Sequence, residues 1–431
     1  MAKMVKCIIC GAVFEEGAEV CPVCGVGPEN FVPVEDESSS FSRDTDEKFV
    51  ILGGGPAAKA AAEAIRERNK SAVITIVSKE DALPYNRPML TKALLEDHSD
   101  NKLAIEPASW YEKNRIFFMG DTEAVGIDVN NKEVAVVLAD GSRGTVTYDK
   151  LIYALGAYCF VAPIPGSELE HVLTVRNISD TVAIRKVVED RGVKNVVCIG
   201  GGVMGLEGAW TMKQAGYNVT VFETAPGLLP RQLDDAASAL LTSIAEKSGV
   251  KIVTGAKISK ITGDAVVLED DSSYPAELVL MSTGMRPYTQ LAEDSGIAVD
   301  KWVVADVHTR TNAPNVFAAG DCAAVNGQPQ VFWAQAEATG KVAGANAAGD
   351  DVSYDAIGSA LIMHAFGTAV FAQGTNGKDK EYRSEVSLDE TNGKYSARYY
   401  DGDKLAGAML VGDLSEMSDL MNSFETVRKS L

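Results

Sequence analysis

Short apolar runs that end in glycine clusters recur along this chain. Phe49-Val50-Ile51-Leu52 leads into Gly53-Gly54-Gly55-Pro56, then an alanine-rich stretch, then a second apolar run from Ala72 to Val77. This order predicts a strand, a glycine turn, a helix and a parallel strand. It returns at Asn195–Ile199, Gly200–Gly205, a helical stretch and Asn218–Phe222. Two α/β dinucleotide-type folds are therefore expected, the second inserted within the first. From about Val352 the pattern changes. Tyr395–Tyr400 and Ala406–Val411 read as strands and a last helix starts near Ser415, which predicts a small α+β tail. Residues 1–34 carry too little apolar material to fold without a staple. Residues 35–47 are acidic, serine-rich and nearly free of apolar side chains, and read as a flexible linker.

Composition adds mostly exclusions. The 431 residues are too many for one ordinary domain, and 46% hydrophobic with 23% charged is normal for a globular protein. No apolar stretch is long enough to cross a bilayer, and Met1–Lys6 lacks the apolar core of a signal peptide. With 40 basic and 60 acidic residues the formal charge is -20, which argues against nucleic acid or anionic lipid as a partner.

Cysteine placement changes the picture more. Cys7, Cys10, Cys21 and Cys24 lie within the first 24 residues, whereas Cys159, Cys198 and Cys322 are single and sit in apolar segments as packing residues. This usage fits a reducing cytoplasm and one metal site rather than a disulfide framework. Cys7-x-x-Cys10-Gly11 and Cys21-Pro22-x-Cys24-Gly25 form two matching knuckles. Four converging thiolates make a soft tetrahedral site suited to iron or to zinc.

Two glycine fingerprints follow strands. Gly53-x-Gly55-x-x-Ala58 would bring backbone close to a pyrophosphate at a helix N-terminus. A strand ending in Ala319-Gly320-Asp321 could offer its carboxylate to a polyol hydroxyl while also capping a helix. Gly200-x-Gly202-x-x-Gly205 is a complete fingerprint, and Glu223 ends the next strand. A carboxylate there accepts from ribose hydroxyls and repels a 2′-phosphate, which favours NADH over NADPH.

The flanks of the knuckles, Cys21-Pro-Val-Cys-Gly-Val-Gly-Pro-Glu-Asn-Phe31 and Cys10-Gly-Ala-Val-Phe14, resemble rubredoxin, and the short spacing between Cys10 and Cys21 is similar to the rubredoxin-like domain of rubrerythrins. That resemblance implies iron, with zinc as the alternative. Residues 48–420 resemble the FAD-dependent pyridine nucleotide reductases, nearest to NADH:rubredoxin reductases and the flavin domain of nitrite reductase. The segments that carry it are Gly53-Gly-Gly-Pro-Ala-Ala, Pro84-Tyr-Asn-Arg-Pro-Met-Leu-Thr-Lys92, Tyr148-Asp-Lys-Leu-Ile-Tyr-Ala-Leu-Gly156-Ala and Ala319-Gly-Asp-Cys.

The resemblance implies site residues. Arg87 and Lys92 would lie against the flavin, Ala124 at the adenine, Val331 and Trp333 near the pyrimidine end of the isoalloxazine, with Gly156 and Gly284 also at the cofactor. Glu207 would pair with Lys92 where the nicotinamide meets the flavin. Two departures stand out. The ribose carboxylate is shifted to Glu80, and Tyr158 occupies a position where relatives often carry a basic residue. Residues 56–95 contain no cysteine, so the redox cysteine of disulfide reductases, peroxidases and water-forming oxidases is missing.

The expected organisation is a rubredoxin-like metal domain (1–34), a linker (35–47), an FAD-binding domain in two parts (48–162 and 282–350), an NAD-binding domain (163–281) and an α+β interface domain (351–431). The expected electron path runs from NADH through FAD to the tetracysteine iron and on to a rubredoxin, rubrerythrin, flavodiiron protein or metalloenzyme acceptor. The alternative is an NADH-input subunit of a larger complex with a zinc ribbon as docking module. Homodimer and complex subunit are both compatible with the sequence.

Overall fold

The computed structural model describes residues 3–7, 13–19, 21, 27–28, 31–33, 41–98, 102–355, 358 and 360–429. Two five-stranded parallel sheets form its centre. The first runs in the order Val316–Ala318, Lys150–Tyr153, Lys48–Leu52, Val73–Val77, Ile116–Met119. The second runs Val172–Leu173, Leu278–Met281, Asn195–Ile199, Asn218–Phe222, Lys251–Val253. Their central strands are buried on both faces, as the unbroken apolar runs require. The strand 316–318 closes the first sheet from beyond the second, so the second fold is inserted in the first.

Two helices on the first sheet meet through glycine. A Cβ at Gly340 would lie 2.3 Å from the Ala57 carbonyl oxygen and one at Gly344 2.2 Å from that of Ala61. The helix Trp333–Ala347 can therefore touch the backbone of the helix Pro56–Arg68 only because these positions lack side chains.

The C-terminal unit is a five-stranded antiparallel sheet ordered Leu361–Ala365, Thr368–Gly374, Lys404–Val411, Lys394–Asp401, Arg383–Asp389, with the helix Met417–Lys429. Three of these strands (361–365, 368–374 and 383–389) escaped the sequence pattern. One face shares a core with the second parallel fold, where Met363, Phe366, Tyr395 and Met409 join Leu206, Met212 and Leu233. The other face meets the N-terminal unit, in which Val13–Glu15 and Phe31–Pro33 flank Met4–Cys7.

The segment expected to be a flexible linker is partly fastened. Residues 41–47 run along the first fold. The Arg43 N–H donates to the Arg68 carbonyl at 2.8 Å and the Thr45 N–H to Asn69 Oδ1 at 3.1 Å, while Asn69 Nδ2 donates to Thr45 Oγ1 at 2.8 Å. Here the Arg68 carbonyl and the Asn69 side chain on the first fold, which the linker's polar composition could not reveal, hold the chain in place.

Candidate active site

The turn Gly53–Gly55 joins a strand to the helix Pro56–Arg68. Gly53 has φ +113°, and a Cβ on it would sit 2.1 Å from the Ala154 carbonyl oxygen. Gly55 caps the helix, and a Cβ there would meet nothing within 4 Å. The first position is thus closed by sheet packing, whereas the second faces open space suited to a phosphate. Ala58 is fully buried and serves close packing rather than contact with a ligand.

One continuous cleft of about 2900 Å³ gathers most of the expected positions: Gly53, Gly55, Glu80, Arg87, Lys92, Ala124, Gly156, Gly205, Glu207, Gly284, Asp321, Val331 and Trp333 all line it. Pockets for a single small ligand occupy roughly 300–1,000 Å³, so this cleft has room for more than one. The empty space over Gly55 and the open helix N-terminus fit an FAD pyrophosphate, and Asp321 lies at the same end of the cleft.

Lys92 and Glu207 meet, with Nζ 3.1 Å from Oε1. Thr91, missed in the sequence, donates from Oγ1 to Glu207 Oε2 at 2.7 Å. The Glu207 side chain is 5% exposed and that of Lys92 31%. The result is a carboxylate held at both oxygens with an ammonium reaching into the cleft. Glu207 lies in the helix Val203–Gln214, and Leu206 and Ala209 fix that helix against the second sheet.

Glu80 does not present a free carboxylate. Arg87 Nη2 contacts one oxygen, and Tyr85 donates its hydroxyl to the other at 2.7 Å. Arg87 also donates to Tyr85 Oη and Asn177 Oδ1, both at 2.7 Å, and to the Arg176 carbonyl at 3.0 Å. Burial pushes the Tyr85 hydroxyl pKa well up, so it stays a donor. Glu80 and Arg87 thus brace the cleft wall where the sequence reading had placed a ribose contact. Asp321 is paired too, at 2.6 Å from Arg176 Nη2. Arg176 had no signal of its own. The Asn177-x-x-Asp180 spacing is that of a helix start, and Asp180 accepts from the Asn177 and Arg176 N–H groups at 3.0 and 2.6 Å.

Gly200, Gly202 and Glu223 lie outside this cleft. Gly200 is packed, its Cβ position 2.1 Å from the Ser282 carbonyl oxygen, while Gly202 opens on free space. A Cβ on Gly205 would lie 2.1 Å from the Gly200 carbonyl oxygen, so the third glycine serves packing. Glu223 accepts from the Gly201 and Ala225 N–H groups, each at 2.8 Å, and so stands beside the glycine turn.

Of the four N-terminal cysteines, Cys10 and Cys24 lie outside the described residues. Cys7 and Cys21 are buried, in one apolar cluster with Phe371, Leu410, Met417 and Leu420 of the C-terminal unit. Among the described residues no group of three or more His, Cys, Asp or Glu side chains forms a metal site. Val32 and Pro33 line the same cleft, as do Ala360, Ile362 and Met421. Cys198 and Cys322 are fully buried, as packing residues should be, whereas Cys159 is half-buried and lines the cleft. Among the described residues no helix is long and apolar enough to cross a membrane.

Two parallel-sheet folds joined at a shared cleft define a two-dinucleotide oxidoreductase. Residues 47–347 match the family model of the pyridine nucleotide-disulphide oxidoreductases, and residues 360–426 match that of the rubredoxin NAD+ reductase C-terminal domain. The chain belongs to the pyridine nucleotide-disulphide oxidoreductase family, and is an enzyme that uses FAD and NADH. It is 32% identical over 375 residues to an NADH oxidase of Methanocaldococcus jannaschii, covering 83% of each chain. It is 31% identical over 384 residues to a nitrite reductase [NAD(P)H] of Bacillus subtilis, where 88% of this chain spans about half (47%) of the longer protein. The crystal structure of NADH:rubredoxin oxidoreductase from Clostridium acetobutylicum superposes with a TM-score of 0.74 at 26% identity, covering 89% of this chain and 96% of that one.

Proposed function

We propose that this enzyme moves electrons from NADH to an N-terminal iron centre held by Cys7, Cys10, Cys21 and Cys24, and from there to a redox-protein acceptor of the rubredoxin type. Bound FAD accepts a hydride as two electrons and can release electrons singly, which matches a two-electron donor to a one-electron metal. Lys92 is held beside Glu207 with its Nζ reaching into the cleft. Thr91 and Lys92 together hold the Glu207 carboxylate in one orientation. Glu223 selects NADH by its charge.

The observation that carries the reading is the seating of the N-terminal strands. They pack on the C-terminal sheet, and Val32 and Pro33 face the same cleft as the Lys92–Glu207 pair. From Pro33 to the fastened residue Phe41 the chain reaches at most about 28 Å. The cysteine unit therefore stays at high effective concentration over the cleft.

The test is spectroscopic. Protein made anaerobically with iron should be red, and the colour should bleach on adding NADH. Cys10→Ser and Cys24→Ser should abolish the red centre and delivery to a rubredoxin while dyes that accept from flavin are still reduced. Normal delivery by these variants would make the N-terminal unit a docking module, and a colourless zinc form under iron-replete conditions would remove the metal relay.

A further inference from the structure

The strand Arg383–Asp389 is the outer edge of the C-terminal sheet. It pairs with Lys394–Asp401 on one side, and among the described residues no strand pairs with its other side. All seven of its residues are exposed. An edge strand presents unpaired backbone N–H and C=O groups, and proteins usually blunt such edges with proline, lysine, a bulge or a covering element. This strand has no proline and no lysine, and its register with the inner neighbour runs unbroken from Arg383–Tyr400 to Asp389–Lys394. Val386 and Leu388 lie opposite Ala397 and Tyr395, which are buried in the core shared with the second parallel fold. The apolar face of the sheet thus runs out to the edge uncovered.

We propose that this strand pairs antiparallel with the same strand of a second copy of the chain, about a two-fold axis at Val386, so that two C-terminal sheets join into one. The charges select this occupant and this register. Arg383, Glu385 and Asp389 share the face opposite Val386 and Leu388. With the axis at Val386 the two strands overlap along their whole length. Arg383 then faces the partner's Asp389 at both ends, and Glu385 faces the partner's Ser387. A two-fold axis normal to the sheet keeps each face on its own side, so competing registers slide by two residues. Sliding one way sets Glu385 against the partner's Glu385, and sliding the other way sets it against the partner's Asp389. Both shorten the overlap and put like charges directly opposite, which is destabilising. The Asp389 carboxyl lies below the usual carboxylate range because the Asn392 Nδ2 and N–H donate to it at 2.7 and 3.1 Å, so its charge is secure. Arg383 lies over the Tyr400 ring and reaches Glu385 of its own strand at 2.7 Å, an exposed contact worth little that leaves it able to turn toward a partner. The same acids disfavour a strand without a matching cation, so the edge discriminates for its own sequence.

The experiment is sedimentation velocity of the full-length protein at about 0.15 M salt, where a Debye length of about 8 Å screens the formal charge of -20 on each copy. The parent should dimerise reversibly at micromolar concentration. Val386→Lys brings an ammonium from each copy to the axis and should weaken the dimer at least tenfold, while flavin reduction by NADH stays within twofold as a check on folding. Arg383→Asp and Asp389→Arg should each be monomeric alone, because like charges then meet at both ends. Mixed together they should form a heterodimer, because both ion pairs return. A parent that stays monomeric at high micromolar concentration overturns the proposal, and so it does if the edge binds an acceptor protein instead. A dimer that Val386→Lys leaves intact also overturns it, as do charge variants that fold but do not associate on mixing. Should either charge variant not fold, Val386→Lys decides alone. None of these outcomes depends on the iron relay.

Discussion

The Lys92–Glu207 pair allows a worked prediction through a double-mutant cycle of Lys92→Met and Glu207→Gln. Unit charges about 4 Å apart interact by roughly 4 kcal/mol at the effective dielectric of a protein surface. Here the Nζ–Oε1 contact is 3.1 Å, but the Lys92 side chain is 31% exposed and screened by water. The coupling should fall between the 1 kcal/mol or less of open surface pairs and the several kcal/mol of buried ones, at about 1–2 kcal/mol. In rate this is a non-additivity of about 5- to 30-fold. Lys92→Met alone should also lower stability by about 2 kcal/mol, because it leaves a 5% exposed carboxylate with Thr91 as its remaining side-chain partner. Stopped-flow bleaching of the flavin by NADH and denaturant melts without NADH measure the two quantities. If the single substitutions add to within about 0.5 kcal/mol in both assays, the two residues do not act as a unit and the reasoning fails.

Three further outcomes are expected. NADH should exceed NADPH at least tenfold in kcat/KM, about 1.4 kcal/mol, and Glu223→Ala should narrow the gap in steady-state assays; equal use of NADPH by the parent would refute this. Asp234 caps the helix Asp235–Lys247 through the Ala237 N–H at 2.8 Å and accepts from the hydroxyls of Tyr395 and Tyr399 of the C-terminal sheet, the latter at 2.6 Å. Asp234→Ala should therefore cost about 2–4 kcal/mol in melts, and a loss under 1 kcal/mol would show that this junction does not hold the two units. Burial pushes the Cys198 and Cys322 thiols up to about 12, so neither should react with a disulfide reagent in the native protein at pH 8. The sign follows. A raised thiol pKa contributes stability below the unfolded value of about 9, and loses it as pH climbs from there toward 12. Guanidinium midpoints taken across that range should fall, and less steeply in Cys198→Ala/Cys322→Ala.

Much of the fold was readable because its signals are local. Apolar runs buried on both faces of parallel sheets need no partner to be recognised, and a glycine turn between strand and helix advertises a phosphate site through backbone constraints alone. Gly53 and Gly55, the pair of fingerprints, and the meeting of Lys92 with Glu207 could be anticipated in this way, the last from family resemblance. The C-terminal strands 361–365, 368–374 and 383–389 could not. Val386 and Leu388 are exposed at 54% and 46% on the outermost strand, so the apolar alternation there marks an edge rather than a core.

The sequence by itself determined the strands and glycine turns of the two parallel folds, because those depend on neighbours a few residues away. Tertiary structure decided the electrostatics. Glu80, expected at a ribose, has Arg87 against one oxygen and accepts from Tyr85 at the other, and Arg176, silent in the sequence, reaches Asp321 from 145 residues away. It also decided where the cysteine unit rests, since Cys7 and Cys21 share an apolar cluster with residues beyond position 370. Charges in a cleft seek whichever opposite charge the fold brings near, and apolar surfaces pack on whatever the chain folds back against them. Both choices are made in space, where separation along the chain carries no information.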